Sequence, residues 1–300
     1  MRPIWRWHRR RLLLAPQRKE ANVRQEPIQI PIRSGSVSTT IEAIDVHGHY
    51  GRYDRGGDGG IDDFMSGDAQ VVAARAREAH IRLTIVSPLL ALLPRFGGNP
   101  IAGNVEAAQV VAATDGLLQW VVIDPNTPET YRQAELMLEL PKCVGIKIHP
   151  EEHGYPIAEH GRAIFEFAAA RRAVMLAHSS EKNSLAADYA RLANEFPEVT
   201  LIIAHLGCGW DGDLTHQVRA IQQARHGNLY TDTSSAKSIT PRLIEWGARE
   251  VGAERILFGT DTPLYLTAMQ RARIDHAELS DREKRLILCE NAERLLALSS

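Results

Sequence analysis

The chain has 300 residues, 44% of them hydrophobic and 24% charged, with a formal net charge of −2. Such a composition is ordinary for a soluble globular protein with a large core, and it gives no reason to expect a nucleic-acid or membrane partner. The three cysteines, Cys143, Cys208 and Cys289, are widely spaced and form no Cys-x-x-Cys pair, which argues against a disulfide framework or a structural zinc knuckle and for a reducing, cytoplasmic setting.

The amino terminus, "MRPIWRWHRRRLLLAP", is basic and carries two tryptophans. Its apolar run, 12–15, is shorter than the ~7–15 residues of a signal-peptide core. Residues 1–40 therefore read as a partly disordered N-terminal arm, of which the first 25 or so are expected to be dispensable. No run approaches the ~20 apolar residues that span a bilayer.

After residue 40 short apolar runs alternate with helical patterns. The runs are 43–49, 83–88, 118–124, 144–150, 173–179, 200–207, 228–234 and 255–261. They are nearly continuous in apolar character, as parallel strands covered on both faces are. Between them, 68–80, 159–172, 184–196 and 240–252 place apolar residues at helical spacing. Thr240 and Pro241 look like a cap and first-turn proline for the last of these, and Ser280 with Glu283 forms a capping-box pattern for a closing helix over 280–298. Eight strand–helix units predict an α/β protein, a (β/α)₈ TIM barrel over 41–300. A doubly wound open sheet is the alternative, but the Gly-rich turn expected after its first strand is replaced here by His-Gly-His.

Active sites of such barrels lie at the carboxyl ends of the strands. There the first run ends in His47 and His49, two apart and hence expected on one face. The fourth ends in Lys147 and His149, the fifth in His178, the sixth in His205 and the eighth in Asp261. Neutral imidazole and carboxylate are good ligands for zinc and similar ions at ~2.0–2.2 Å. Ligands from several strands around one rim can converge on one ion.

The stretches "DVHGH", "GIKIHP", "LAHSS", "AHLG", "FGTDTP" and "ENAERLL" resemble, in this order, the amidohydrolase superfamily. The branch is the amidohydrolase-related (amidohydrolase 2) one, which includes relatives of aminocarboxymuconate-semialdehyde decarboxylase. The resemblance covers 41–298. It implies that His47, His49, His178 and Asp261 bind a divalent metal, one zinc ion per chain, and that Asp261 also takes a proton from bound water. His205 would orient that water or bind a second metal. A carboxylated Lys147 would also allow a second ion; otherwise Lys147 and His149 are expected to face the substrate.

Other residues invite weaker readings. Arg95, in the loop after the second run, is a candidate for a substrate carboxylate, and Trp210 for the pocket wall. Asp232 and Ser234 end the seventh run and could hold a ligand imidazole in one tautomer. His153 reads as a solvated loop or lid residue rather than part of a second metal site with Glu151 and Glu152. Cys208 reads as a packing residue near the site, and His80, His160, His216, His226 and His276 as surface residues. The expected function is a metal-dependent hydrolase, in which activated water attacks an amide, ester or lactone carbonyl. The alternative is a lyase that decarboxylates an unsaturated or aromatic acid; a non-catalytic barrel would be expected to have lost one of the ligands. The partner is a small-molecule substrate, selected by loops 50–67, 88–100 and 150–158, and homo-oligomerisation is left open.

Overall fold

The eight apolar runs form eight parallel strands in the computed structural model, which describes residues 41–56 and 60–298. The expected N-terminal arm lies outside the described residues. The strands are β1 (Ala43–Tyr50), β2 (Ile81–Pro88), β3 (Leu117–Val122), β4 (Cys143–Ile148), β5 (Met175–Ala177), β6 (Leu201–Ile203), β7 (Leu229–Asp232) and β8 (Ile256–Leu257). Each pairs with the next in chain order. The seam between β8 and β1 is joined by Val46 N donating to Phe258 O at 2.9 Å, Asp261 N to His47 O at 2.7 Å and His49 N to Thr262 O at 2.6 Å. Helices fill the connections, giving the (β/α)₈ barrel that the alternating pattern predicts.

The side chains sort as such a barrel requires. Ile44, Ile85, Leu118, Trp120, Leu176, Ile202, Tyr230 and Leu257 form one buried cluster, with Val144 packed against it. All eight strands contribute to it, and side chains from all eight can meet only inside the barrel. The alternate residues Met175, Ala177, Leu201, Ile203 and Leu229 pack instead among Ile164, Phe165, Tyr189 and Leu192 of the surrounding helices. Burial of each such aliphatic chain contributes about 1.5–3 kcal/mol.

Several strands are shorter than their apolar runs, and the residues beyond their ends carry the chemistry. His178 follows β5, His205 lies just past β6, and Asp261 lies past β8. His205 (φ 70°) and Asp261 (φ 57°) occupy the left-handed region, which ends the ladder and costs about 1–3 kcal/mol at each. One helix start differs from expectation. The helix after β7 is Leu243–Val251, preceded by Arg242. Thr240 does not cap it: it lies two residues ahead of Arg242 and ends the 3₁₀ turn Ala236–Ile239, its N–H donating to Lys237 O at 2.8 Å. The Ser280–Glu283 capping box is present at Asp281–Arg285, and the closing helix passes through a π turn, Leu286–Glu290, before Asn291–Leu296. Among the described residues no helix is long and apolar enough to cross a membrane.

Candidate metal centre

His47, His49 and Asp261 meet where the last strand closes on the first. One ligand atom from each lies within 4.8 Å of the others. His49 Nε2 is 3.0 Å from Asp261 Oδ1, and His47 Nε2 is 3.6 Å from the same oxygen. Strand β1 is irregular here, with its pairing to β2 shifting between Asp45 and Gly48, and the two rings stand edge to face at 5.1 Å.

Hydrogen bonds behind the rings set their tautomers. His49 Nδ1–H donates to Ser87 O at 2.9 Å, and His47 Nδ1–H to Asp232 Oδ2 at 2.9 Å. Both Nε2 lone pairs therefore point inward. In its neutral form His49 would then set its Nε2 lone pair against Asp261 Oδ1 at 3.0 Å, acceptor to acceptor. A cation resolves that conflict, and imidazoles anchored from behind by carbonyl and carboxylate are how proteins present metal ligands. The donor set fits a divalent ion.

Electrostatics agree. Burial, reinforced by the Lys147 ammonium, lowers His47 to about 3 and keeps it neutral. Burial would raise Asp261, but the His49 hydrogen bond and the neighbouring His47 and His205 outweigh it and hold the carboxyl well below its ordinary range. Asp232 is held low in the same way, against burial, chiefly by His47. His47, His205 and Asp232 form a second close group. Asp232 is already consumed there: it accepts from His47 Nδ1, from the backbone N–H of His205 and Ser234, and from Ser234 Oγ. That group braces the rings of the first from behind.

The other strand-end residues are placed as follows. His205 Nδ1–H donates to Ser234 O at 3.0 Å, leaving its Nε2 to meet His178 Nδ1 at 3.0 Å. The other nitrogen of His178 is 3.1 Å from Glu181 Oε2, and its ring stacks on His149 at 4.0 Å. His178 thus sits one ring beyond the close trio, and a ligand role requires one of its nitrogens to leave a hydrogen bond. His149 caps the short helix Pro150–His153, its Nδ1 accepting from Glu152 N at 3.3 Å. Lys147 is fully buried on the inward side of His47, with Nζ 2.9 Å from His47 Nε2, and burial pulls it down to about 8.

The family model described as amidohydrolase matches residues 44–298. The chain belongs to the amidohydrolase family. No curated protein matches the sequence. Among solved structures, this amidohydrolase-family chain is similar to dihydroxybenzoic acid decarboxylase from Polaromonas sp. JS666, which holds manganese and the inhibitor 2-nitroresorcinol. The TM-score is 0.67 at 15% identity, over 86% of this chain and 98% of that one. It is similar to 5-carboxyvanillate decarboxylase from Sphingomonas paucimobilis, with a TM-score of 0.63 at 15% identity over 87% and 100%. It is also similar to 2,6-dihydroxybenzoate decarboxylase from Rhizobium, with a TM-score of 0.65 at 14% identity over 86% and 98%. At these identities the likeness is one of fold.

In this amidohydrolase-family barrel the centre opens into a cavity of about 170 Å³. That is below the ~300–1,000 Å³ usual for drug-sized ligands, and it suits a small molecule. Leu89, Leu92, Leu93 and Leu264 form apolar walls, and Tyr53 and Tyr265 add aromatic ones. Cys208 is on the wall, its thiol pushed up by burial, in keeping with a packing role. Three sequence candidates are not on the wall. Lys147, expected to face the substrate, is fully buried beside His47 instead. Trp210 is 56% exposed, with Lys182 Nζ 5.7 Å from its ring centroid. Arg95 lies 3.4 Å from Glu152 Oε2. His153, expected in solvent, is buried, with Nε2 3.1 Å from Ala91 O, because its short helix packs under the β2 loop.

Sequence reasoning passed over Asp45, Arg55 and Glu181. Asp45 accepts from His47 N and from Thr260 N and Oγ1, and burial raises it to about 7. Its place two residues before His47 was the available signal. Arg55 and Glu181 lie on loops, where spacing carries no information about what the side chain meets.

Proposed function

We propose that this chain is a metal-dependent carboxy-lyase that removes carbon dioxide from a small unsaturated or aromatic carboxylic acid. The observation that carries it is the close approach of His47, His49 and Asp261, with His49 Nε2 3.0 Å from Asp261 Oδ1, at the floor of a small cavity with leucine and tyrosine walls. The resemblance of the fold to three decarboxylases of aromatic acids supports the same reading.

His47, His49 and Asp261 would hold the ion, and His178 would join them by releasing His205 or Glu181. A bound zinc or manganese ion supplies Lewis-acid polarisation of the substrate's oxygen atoms. Asp232 and Ser87 O hold the ligand rings in place. The leucines exclude water, which strengthens every charge interaction inside. Asp261 is the proton-transfer group: it takes a proton from solvent and passes it to the carbon as the bond to the carboxyl carbon breaks. The electron pair of that bond becomes the new C–H bond, and carbon dioxide leaves.

Hydrolysis of an amide, ester or lactone is the second reading. The ionised state of Asp261 favours it, because the same oxygen could remove a proton from water. The test is product analysis with metal-loaded protein. Hydroxybenzoates and unsaturated acids are screened for carbon dioxide release, and esters, lactones and amides for heavy-oxygen uptake from labelled water. Carbon dioxide release supports the lyase. Cleavage confined to the second panel overturns it in favour of the hydrolase.

A further inference from the structure

Strands β5 and β6 pair as far as Ala177 and Ile203, and the histidines just beyond them meet ring to ring, with His178 Nδ1 3.0 Å from His205 Nε2. Past the ladder the two connections leave regular geometry. Ser180 (φ 74°), His205 (φ 70°) and Gly207 (φ 85°) are all left-handed. Glycine accepts that conformation freely, whereas serine and histidine are strained in it and stay there only where the surroundings hold them.

Gln217 supplies much of that hold. It is the second residue of the helix His216–Gln223 and is fully buried. Its Oε1 accepts the Gly207 N–H at 3.1 Å, and its Nε2 donates to Cys208 O at 3.0 Å, to Ser179 Oγ at 3.3 Å and to Ser180 Oγ. The partners fix which way the amide points. A backbone N–H can only donate and a carbonyl only accept, so the oxygen must face Gly207 and the nitrogen Cys208. Ser179 carries the tie further, its hydroxyl donating at 2.6 Å to the carbonyl of Ala204, the residue before His205. One amide thus grips the residues one and two places after His178 and those two and three places after His205, without bonding to either ring.

A buried amide can also do no more than satisfy backbone groups. Asn228, just ahead of β7, is of that kind. Its Nδ2 donates to Ala193 O, Phe196 O and Val199 O, at the amino ends of the strands and away from the histidines. Gln217 differs in what its partners carry.

We propose that Gln217 is a positioning residue of the metal centre: by tying the connections after β5 and β6 it sets how closely His178 approaches the ion and His205. This rests on the metal reading above, with His178 as an added ligand, and not on which reaction the centre performs. Without the amide, Gly207 N–H and Cys208 O are left unpaired in a buried place, and Ser180 and His205 can leave the left-handed region. His178 then drifts from the ion, and water takes its position.

The experiment reads the metal, not turnover. Protein loaded with cobalt(II) has visible bands that weaken as water replaces imidazole and the coordination number rises. Wild type, Gln217→Leu, Gln217→Glu and Asn228→Leu are compared by that spectrum, by competition with a chelator for cobalt, and by the melting temperature of the metal-free protein. Gln217→Leu removes all four bonds. It should weaken the bands and lower cobalt affinity ~10–100-fold, the scale for a lost contact behind a ligand. Gln217→Glu keeps an acceptor for the Gly207 N–H but sets an oxygen against Cys208 O. It should move both readouts the same way, and it carries the test if the leucine variant does not fold. Asn228→Leu should lower the melting temperature while leaving spectrum and affinity at wild-type values. Folded Gln217 variants with the wild-type spectrum and affinity overturn the proposal, and so does an Asn228→Leu variant that shifts them equally. No substrate enters, so failure of the lyase reading looks different: hydrolysis without carbon dioxide release, with the cobalt pattern intact.

Discussion

Asp45 and Thr260 tie the first strand to the segment after the last. Asp45 Oδ1 accepts the Thr260 N–H at 2.9 Å and Oδ2 accepts its hydroxyl at 2.5 Å, between residues 215 apart in the chain. Asp45 Oδ1 also accepts His47 N at 3.0 Å. One carboxyl group thus fixes the backbone of His47 on one side of the seam and the residue before Asp261 on the other. Asp45→Asn places an amide donor among three donors. It should lower stability by about 1–3 kcal/mol and weaken metal retention, read by thermal melting and by metal content after dialysis.

Asp261→Asn separates binding from proton transfer. Asparagine keeps the shape and an oxygen ligand but cannot carry the proton. Turnover should fall ~10²–10⁴-fold while the fold and part of the metal persist. Wild-type turnover at full metal content would remove Asp261 from that role and point to His205.

Asp232 acts at one remove. Every contact it makes is to a donor: His47 Nδ1, His205 N, Ser234 N and Ser234 Oγ. Asp232→Asn turns one of its oxygens into a donor and loosens the His47 ring. Metal affinity should fall ~10–100-fold, with a near-wild-type melting temperature for the metal-free protein. Competition with a chelator measures it.

A pH effect is expected well away from the centre. Glu245, on Leu243–Val251, meets Arg273 of the helix Thr267–Asp275 at 2.5 Å and accepts Glu278 N at 3.1 Å. Burial would raise Glu245, but these bonds, Arg273 foremost, lower it. A carboxyl lowered on folding contributes stability above its unfolded value near 4.5 and loses that contribution as pH falls through the folded one. Wild type should therefore lose stability in acid below about pH 4.5, and Glu245→Gln should lose less over the same range. Denaturant melts at pH 7 and pH 3.5 compare the two; equal acid losses would show that the pair contributes nothing.

The barrel was legible because its strands are covered on both faces and so read as unbroken apolar runs. The polar residues ending those runs stand out against that background, which is why His47, His49, His205 and Asp261 could be named before any geometry. Spacing could not reveal that His178 divides its nitrogens between His205 and Glu181, since His205 lies on another connection and Glu181 reaches the ring only through the turn that follows β5. The Thr240–Pro241 pair looked like a helix start, yet Thr240 closes the preceding turn. Arg55 was passed over in favour of Arg95 for a similar reason: which loop arginine faces the cavity depends on the fold of two connections at once.

The proposed metal ligands straddle the seam between the first strand and the last. His47 and His49 come from the first strand and Asp261 from beyond the eighth, so the trio exists only after the whole chain between them has been wound into place. Bringing such distant segments together carries the chain's largest loop-closure entropy, and contacts of this range tend to form late in folding. An ion that binds the closed ring and not the open chain would act as a rivet at that joint. Its release should loosen the first and last strands before the middle of the barrel, and hydrogen exchange at Val46 and Asp261 should register this first.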